Sequence, residues 1–272
     1  MGAGIAEVCA RSGVDVTVVE ADEERAARAR ETIDASLGRA ERKGKLSADD
    51  RDAALSHLRV TVELDDVAGC DAAIEAIVED EQAKRELFRR LDALLPDAAF
   101  LASNTSSVPI MKLGTETTQP SRVLGLHFFN PAPVMPLVEV VRSIMTTEDA
   151  LRAARTFAED TLGKTCIDSQ DRAGFVVNAL LIPFLLSAIR MFESGFASRD
   201  DIDQGMVKGC AHPMGPLALA DLIGLDTLLA IARSLHEEFR DPASVAPALL
   251  NRMVEAGLLG RKSRRGFYDY SG

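Results

Sequence analysis

"MGAGIAEVCARSGVDVTVVEAD" (residues 1–22) decides the fold class of this 272-residue chain. Ile5, Val8 and Cys9, with the small Ala6 and Ala10, recur at helical spacing, and Ser12-Gly13 stops the run. Val14, Val16, Val18 and Val19 then form a β-branched run that ends in the acidic Glu20. Helix followed by strand is the second half of a β-α-β unit. In a doubly wound sheet a dinucleotide lies over the first strand–helix turn, where G-x-G-x-x-G lets the backbone approach pyrophosphate. Gly2 stands where the third glycine of that turn belongs, and Glu20 where the ribose-binding acid falls. The half-motif is weak evidence alone, because an acid ending a strand near a glycine is common in α/β proteins.

The same alternation continues to about residue 167. A long charged helix runs from Glu23 to about Gly44, and "LRVTVELD" and "CDAAIEAIVED" read as strands, the second ending in acids. An amphipathic helix, Glu81–Leu95, precedes a strand at Ala98–Ala102. "RVLGLHFF" and "PLVEVVRS" are the last strands, and a helix at Thr147–Leu162 closes this half. Alternating strands and helices predict an α/β fold: a Rossmann-like, doubly wound, mostly parallel sheet, here lacking its first strand. From Gly174 onward only helices are predicted. The expected domains are therefore 1–168, a nucleotide-binding Rossmann-like domain, and 169–272, an all-α domain.

The formal charge of −11, from 31 basic and 42 acidic residues, argues against nucleic acid as a partner. Cys9, Cys70, Cys166 and Cys210 lie far apart, with no C-x-x-C pair. That predicts free thiols in a reducing, cytoplasmic compartment and no metal site. "AGFVVNALLIPFLLSAIRMFESG" (Ala173–Gly195) is nearly all apolar but contains Asn178, Pro183 and Arg190. It barely reaches the ~20 residues a bilayer needs, so it is read as a core or subunit-interface helix.

Chemistry concentrates at strand ends. "SNTSS" (Ser103–Ser107) packs short polar side chains into a turn; in isolation a capped loop explains it equally well. "HFFNPAPVMPLVEV" (His127–Val140) is less ordinary. It puts His127 at the end of an apolar strand, stiffens the loop with Pro131, Pro133 and Pro136, and places Glu139 inside the next apolar strand. A carboxylate buried there needs a partner, and His127 is the nearest candidate by chain path. A base and its orienter have this pattern.

Together, "MGAGIAEV", "EAIVEDEQAK", "LASNTSSVPI", "HFFNPAPVMPLVEVV", "DRAGFVVNALL", "HPMGPLALADLIGLD" and "GRKSRRGFYDY" resemble the 3-hydroxyacyl-CoA dehydrogenase family, in that family's motif order from end to end. The short bacterial 3-hydroxybutyryl-CoA dehydrogenases are the most similar members. The resemblance implies oxidation of L-3-hydroxyacyl-CoA to 3-ketoacyl-CoA with NAD, or the reverse, on short acyl chains within fatty-acid metabolism. It implies His127 as general base, Glu139 as its orienter, Ser106 as donor to the substrate oxygen, and Asn178 as a second polar contact, in a site completed when the two domains close on substrate. It carries NAD contacts to Gly2, Glu20, Glu79, Lys84, Ser106, Asn130 and Lys262, and contacts with coenzyme A to Ser36 and Lys43. For Glu79, Lys84 and Lys262 a solvated charge is the alternative, and for Ser36 and Lys43 a helix end complementing its macrodipole. A carboxylate at Glu20 would repel a 2′-phosphate and favour NAD over NADP.

His212 reads as part of a structural turn. Ala179, after the Asn, and Arg264-Arg265, before "GFY", depart from the family pattern without removing a catalytic group. The authentic polypeptide is predicted to begin earlier, with a strand and a G-x-G ahead of Met1, and the short form to bind NAD weakly. A homodimer through the helical domain is expected, with no membrane association. The competing readings are a related 3-hydroxy acid dehydrogenase that does not use CoA, and a truncated, non-catalytic binding protein.

Overall fold

The computed structural model describes residues 1–97 and 100–271, which divide into two compact units, Met1–Asp171 and Arg172–Gly272. Residue 168, the boundary expected from the sequence, lies inside a strand.

In the first unit, helix α1 (Gly2–Arg11) leads into β1 (Val16–Val19), α2 (Glu23–Arg42), α3 (Ala48–Ser56) and β2 (Leu58–Thr61). Then come β3 (Ala72–Glu75), α4 (Glu81–Leu94), β4 (Phe100–Ser103), α5 (Ile110–Gly114), β5 (Val123–Phe128), β6 (Leu137–Arg142), α6 (Glu148–Thr156) and β7 (Thr165–Gln170). Side-chain caps explain where several helices start. The Asp22 carboxylate accepts from Arg25 N, Asp80 from Ala83 N and Thr147 from Ala150 N, each satisfying a first-turn N–H that has no partner within the helix.

The strands form two sheets: β1 with β2, parallel, and β3-β4-β5-β6-β7. All neighbours are parallel except β5 and β6, which are joined by a short loop and run antiparallel. The mostly parallel Rossmann-like architecture matches expectation. Helix α1 packs on two sides at helical spacing: Ile5, Val8 and Cys9 join Leu124, Leu126, Phe128, Val138 and Val140, while Ala6 and Ala10 meet Ile33 and Leu37 of α2. Each large aliphatic side chain buried this way contributes about 1.5–3 kcal/mol. Burial also pushes the Cys9 thiol up to about 12, so this cysteine behaves as a small apolar side chain.

Several local expectations are corrected. Helix α3 and strand β7 add to the elements expected from the sequence, and the final helix of the unit is shorter, with a single wide turn at Phe157–Thr161 after α6. Of the strand expected at Ala98–Ala102, Ala98 and Ala99 lie outside the described residues.

The second unit contains α7 (Val177–Glu193), α8 (Arg199–Gly209), α9 (Pro216–Ile223), α10 (Leu225–Phe239) and α11 (Ala248–Glu255). Its core joins Ile182, Leu185, Leu186 and Ile189 of α7 to Leu217, Leu228, Leu235 and Leu250. The all-helical expectation needs one amendment. After α11 the chain makes antiparallel bridges, Gly260 with Arg265 and Arg265 with Asp269. The buried Asp221 of α9 holds that segment by accepting from Phe267 N, Tyr268 N and the Tyr270 hydroxyl, 2.9, 2.9 and 3.1 Å away. Burial raises the Asp221 carboxyl above its ordinary value despite those donors. Among the described residues no helix is long and apolar enough to cross a membrane, and no cluster of side chains could hold a metal ion.

Candidate active site

Antiparallel pairing puts His127 of β5 directly opposite Glu139 of β6. Directly opposed residues on one face stand side by side, so a separation of 12 in sequence becomes contact. The His127 Nδ1 lies 2.6 Å from Glu139 Oε2, with His127 7% exposed and Glu139 fully buried. A carboxylate only accepts, so Nδ1 carries the proton and Nε2 keeps the lone pair. The Phe129 ring packs at 4.8 Å, centroid to centroid, against the imidazole. One ring nitrogen is thus fixed by charge, and the ring plane by an aromatic neighbour.

His127 is held on the β4 side as well. The pairing of β4 with β5 ends at Ser103, and the Asn104 side chain continues it by accepting from Phe128 N at 2.8 Å. Asn104 N in turn donates to the Glu75 carbonyl, 2.8 Å away. The loop after β5 turns through a cis Asn130-Pro131 peptide, with Asn130 exposed. Gly4 of α1 packs on that loop. A Cβ there would come within 3.3 Å of Pro133 Cδ and 3.5 Å of Ala132 Cβ, so a larger residue would push the loop away.

The turn after β4 is organised by one carboxylate. Glu79 Oε1 accepts from Ser106 N at 3.2 Å, Ser107 N at 3.1 Å, Ser107 Oγ at 2.7 Å and the Thr105 hydroxyl. Burial alone would raise the Glu79 carboxyl, but the hydroxyls of Thr105 and Ser107 and the Lys84 ammonium outweigh it and hold the group below its ordinary value. Lys84 is 1% exposed, and its Nζ is 2.6 Å from Glu75 Oε1 and 3.1 Å from Glu79 Oε2. Glu75 also accepts from Ser103 Oγ at 2.5 Å and Ile77 N at 2.7 Å.

Glu79, Lys84 and Ser106 are thus brought together, and His127 meets Glu139. Glu20 follows the carboxyl end of β1, its N–H donating to Thr61 O at 3.0 Å. Gly2 opens α1, which no side chain caps; Gly4 N and Ile5 N donate to the Met1 carbonyl at 2.9 and 3.1 Å, which leaves the N–H groups at the very start of the helix without a cap. The acid after β1 and the polar turn after β4 stand at carboxyl ends of parallel strands, the edge where such sheets take dinucleotides, and the start of α1 lies against Ala76 just past β3, where a Cβ on Gly2 would come 3.7 Å from Ala76 Cβ. These residue types therefore fit NAD: N–H groups for pyrophosphate, a carboxylate for a ribose diol. Ser36 is half-buried near the end of α2, and Lys43 is exposed just past it. In the second unit Asn178 lies buried in the first turn of α7, and Lys262 Nζ pairs with Asp226 Oδ2 at 2.6 Å. Asn104, Thr105 and Glu75 were not singled out from the sequence. Glu75 carries the same signal that exposed Glu139, an acid within an apolar strand.

Residues 1–172 match the family model described as 3-hydroxyacyl-CoA dehydrogenase, NAD binding domain, and residues 174–270 match its C-terminal domain. A 3-hydroxybutyryl-CoA dehydrogenase of Mycobacterium tuberculosis is 55% identical over 271 residues, 99% of this chain and 95% of that protein. The human mitochondrial hydroxyacyl-coenzyme A dehydrogenase is 40% identical over 277 residues, 99% of this chain and 88% of that one. The crystal structure of the (S)-3-hydroxybutyryl-CoA dehydrogenase PaaH1 from Ralstonia eutropha superposes with a TM-score of 0.95 at 41% identity, covering 100% of this chain and 96% of that chain. This chain belongs to the 3-hydroxyacyl-CoA dehydrogenase family.

Proposed function

We propose that this protein interconverts L-3-hydroxyacyl-CoA and 3-ketoacyl-CoA with NAD, on short acyl chains such as 3-hydroxybutyryl-CoA. The buried 2.6 Å contact between His127 and Glu139 is the observation that carries the reading. With Nδ1 donating to the carboxylate, Nε2 is the atom that takes the 3-hydroxyl proton, and Glu139 stabilises the imidazolium that results. NAD, when bound, accepts the hydride that leaves C3. In the reductive direction Nε2 returns its proton to the carbonyl oxygen. Ser106 donates to the substrate oxygen, and Asn178 adds a polar contact.

For the cofactor, Gly2 opens the helix whose N–H groups meet pyrophosphate, Glu20 takes the ribose, and Glu79, Ser106, Asn130 and Lys262 add further contacts. Lys84 serves the same region through its ion pair with Glu79. Ser36 and Lys43 meet the coenzyme A phosphates. The four cysteines without disulfide partners fit a reducing cytoplasm. The exposed apolar side chains Leu180, Met191 and Phe196 support a homodimer formed through the second unit.

Steady-state turnover of acetoacetyl-CoA with NADH, beside NADPH and beside His127→Gln, tests the reading. NADH should be the preferred reductant, and His127→Gln should lower kcat by about 10²–10⁴-fold. An unchanged kcat would remove His127 from the reaction. Turnover of free 3-hydroxy acids in preference to the CoA thioester would transfer the activity to the CoA-independent reading.

A further inference from the structure

The buried ion pair of Lys84 with Glu75 lies beside the carboxylate that organises the Ser106 turn. Lys84 is an almost fully buried cation with two acid neighbours, Glu75 at 2.6 Å and Glu79 at 3.1 Å. Their tasks differ. Glu75 is enclosed and accepts from Lys84, Ile77 N and Ser103 Oγ. Glu79 is 40% exposed at its side chain and gives its other oxygen to the Thr105–Ser107 turn. Two carboxylates and one ammonium leave the group with a single negative charge. Because Glu75 lies nearer the cation, Glu79 is left with charge to organise the turn. A second connection reaches the same turn from Glu75. Ser103 Oγ donates to Glu75 and accepts from Thr105 N at 3.2 Å.

We infer that Glu75 is a positioning residue for the Thr105–Ser107 turn: it neutralises Lys84 so that Glu79 stays bonded to Thr105, Ser106 and Ser107. Without the Glu75 charge, Glu79 is the carboxylate nearest a buried ammonium, and attraction in a poorly solvated site is strong. The cation then draws Glu79 off the turn, and Ser106 moves with its N–H. The inference rests on the reading that this turn serves cofactor and substrate.

Three variants of the full chain test it, by fluorescence titration with NADH and by steady-state turnover of acetoacetyl-CoA. Glu75→Gln should weaken NADH binding about tenfold and lower kcat/KM about 10²-fold, the loss expected of a misplacement near 1 Å. Adding Lys84→Met to Glu75→Gln removes the cation that displaces Glu79. The double variant should therefore bind NADH more tightly than the single one under conditions where urea titration shows both variants fully folded, so that relief of a buried unpaired charge on overall stability does not account for the gain. Ser103→Ala removes one small buried hydroxyl and should reduce NADH affinity several-fold, so it decides the matter if Glu75→Gln does not fold. Wild-type NADH affinity in Glu75→Gln, or in Ser103→Ala where that variant decides, overturns the inference, as does a double variant no better than the single. If the wild-type protein binds NADH but does not turn over acetoacetyl-CoA, the proposed reaction fails, while the binding comparison still judges Glu75.

Discussion

Glu139 stands between Val138 and Val140 on a strand whose neighbours are both paired, so its carboxylate meets almost no water. A group so placed acts only through what it touches, and His127 Nδ1 is 2.6 Å away. Replacing Glu139 by Gln keeps the shape but offers an N–H₂ as readily as a carbonyl. The imidazole can then put its proton on Nε2, where the reaction needs a lone pair. Glu139→Gln should lower kcat about 10²–10⁴-fold, with KM for NADH changed far less, as steady-state kinetics would show. His127 and Glu139 were legible in the sequence because one lone acid interrupted an apolar run beside a proline-rich loop. Glu75 interrupted an equally apolar run, but Glu79 and Asp80 follow it, and the strand read as one that ends in acids. Its burial depends on Lys84, nine residues away on a helix whose remaining charges mostly face solvent, and no local pattern singles that lysine out.

Elements with strong side-chain punctuation were the legible ones, and those without it were missed. Helix α3 buries Ala54 alone, so it has no apolar stripe to read, although Ser47 caps it by accepting from Asp50 N at 3.0 Å. Strand β7, "TCIDSQ", lies at a sheet edge with four of its six residues polar, which blurs the alternation that marks a strand. Helix α4, by contrast, was found within one residue. Its end is fastened by Asp92, which accepts from Thr118 N and Thr118 Oγ1 at 2.7 Å and from Arg122 at 2.9 Å. Both Asp92 and Arg122 side chains are only 6% exposed. Burial alone would raise the Asp92 carboxyl, but the Thr118 and Arg122 donors outweigh it and hold the group below its ordinary 3.8. As pH falls below that value the unfolded chain takes up the proton first, so the stabilisation is complete at neutral pH and is lost in acid. Asp92→Asn should therefore unfold about 3 kcal/mol more easily than wild type at pH 7 in urea, and the gap should close as pH falls through the depressed value. A gap that stayed constant with pH would mean that shape, not charge, fastens α4.

At the scale of the molecule, the change from alternating strands and helices to helices alone was visible in the sequence, and the structure divides at Asp171–Arg172. The arrangement of the strands into two sheets follows from hydrogen bonds between distant segments, which periodicity along the chain does not encode. Association of copies is another property of the whole molecule. Helix α7 buries Ile182, Leu185, Leu186 and Ile189, yet Leu180 is 73% exposed, and Phe196 just beyond the helix is 79% exposed. Apolar side chains at such exposure lose water favourably when a second surface covers them. Each copy also carries a formal charge of −11, so two copies repel through water at neutral pH. Apolar burial and charge repulsion respond oppositely to salt. Added salt screens the repulsion, with a Debye length of about 10 Å at 0.1 M, and leaves the apolar contact in place. Sedimentation equilibrium should therefore show a dimer that tightens as salt rises from low ionic strength, and Leu180→Lys should shift the population toward monomer at every salt concentration. A dimer that instead loosened with salt would be held by ion pairs, and the exposed apolar stripe of α7 would not be its interface.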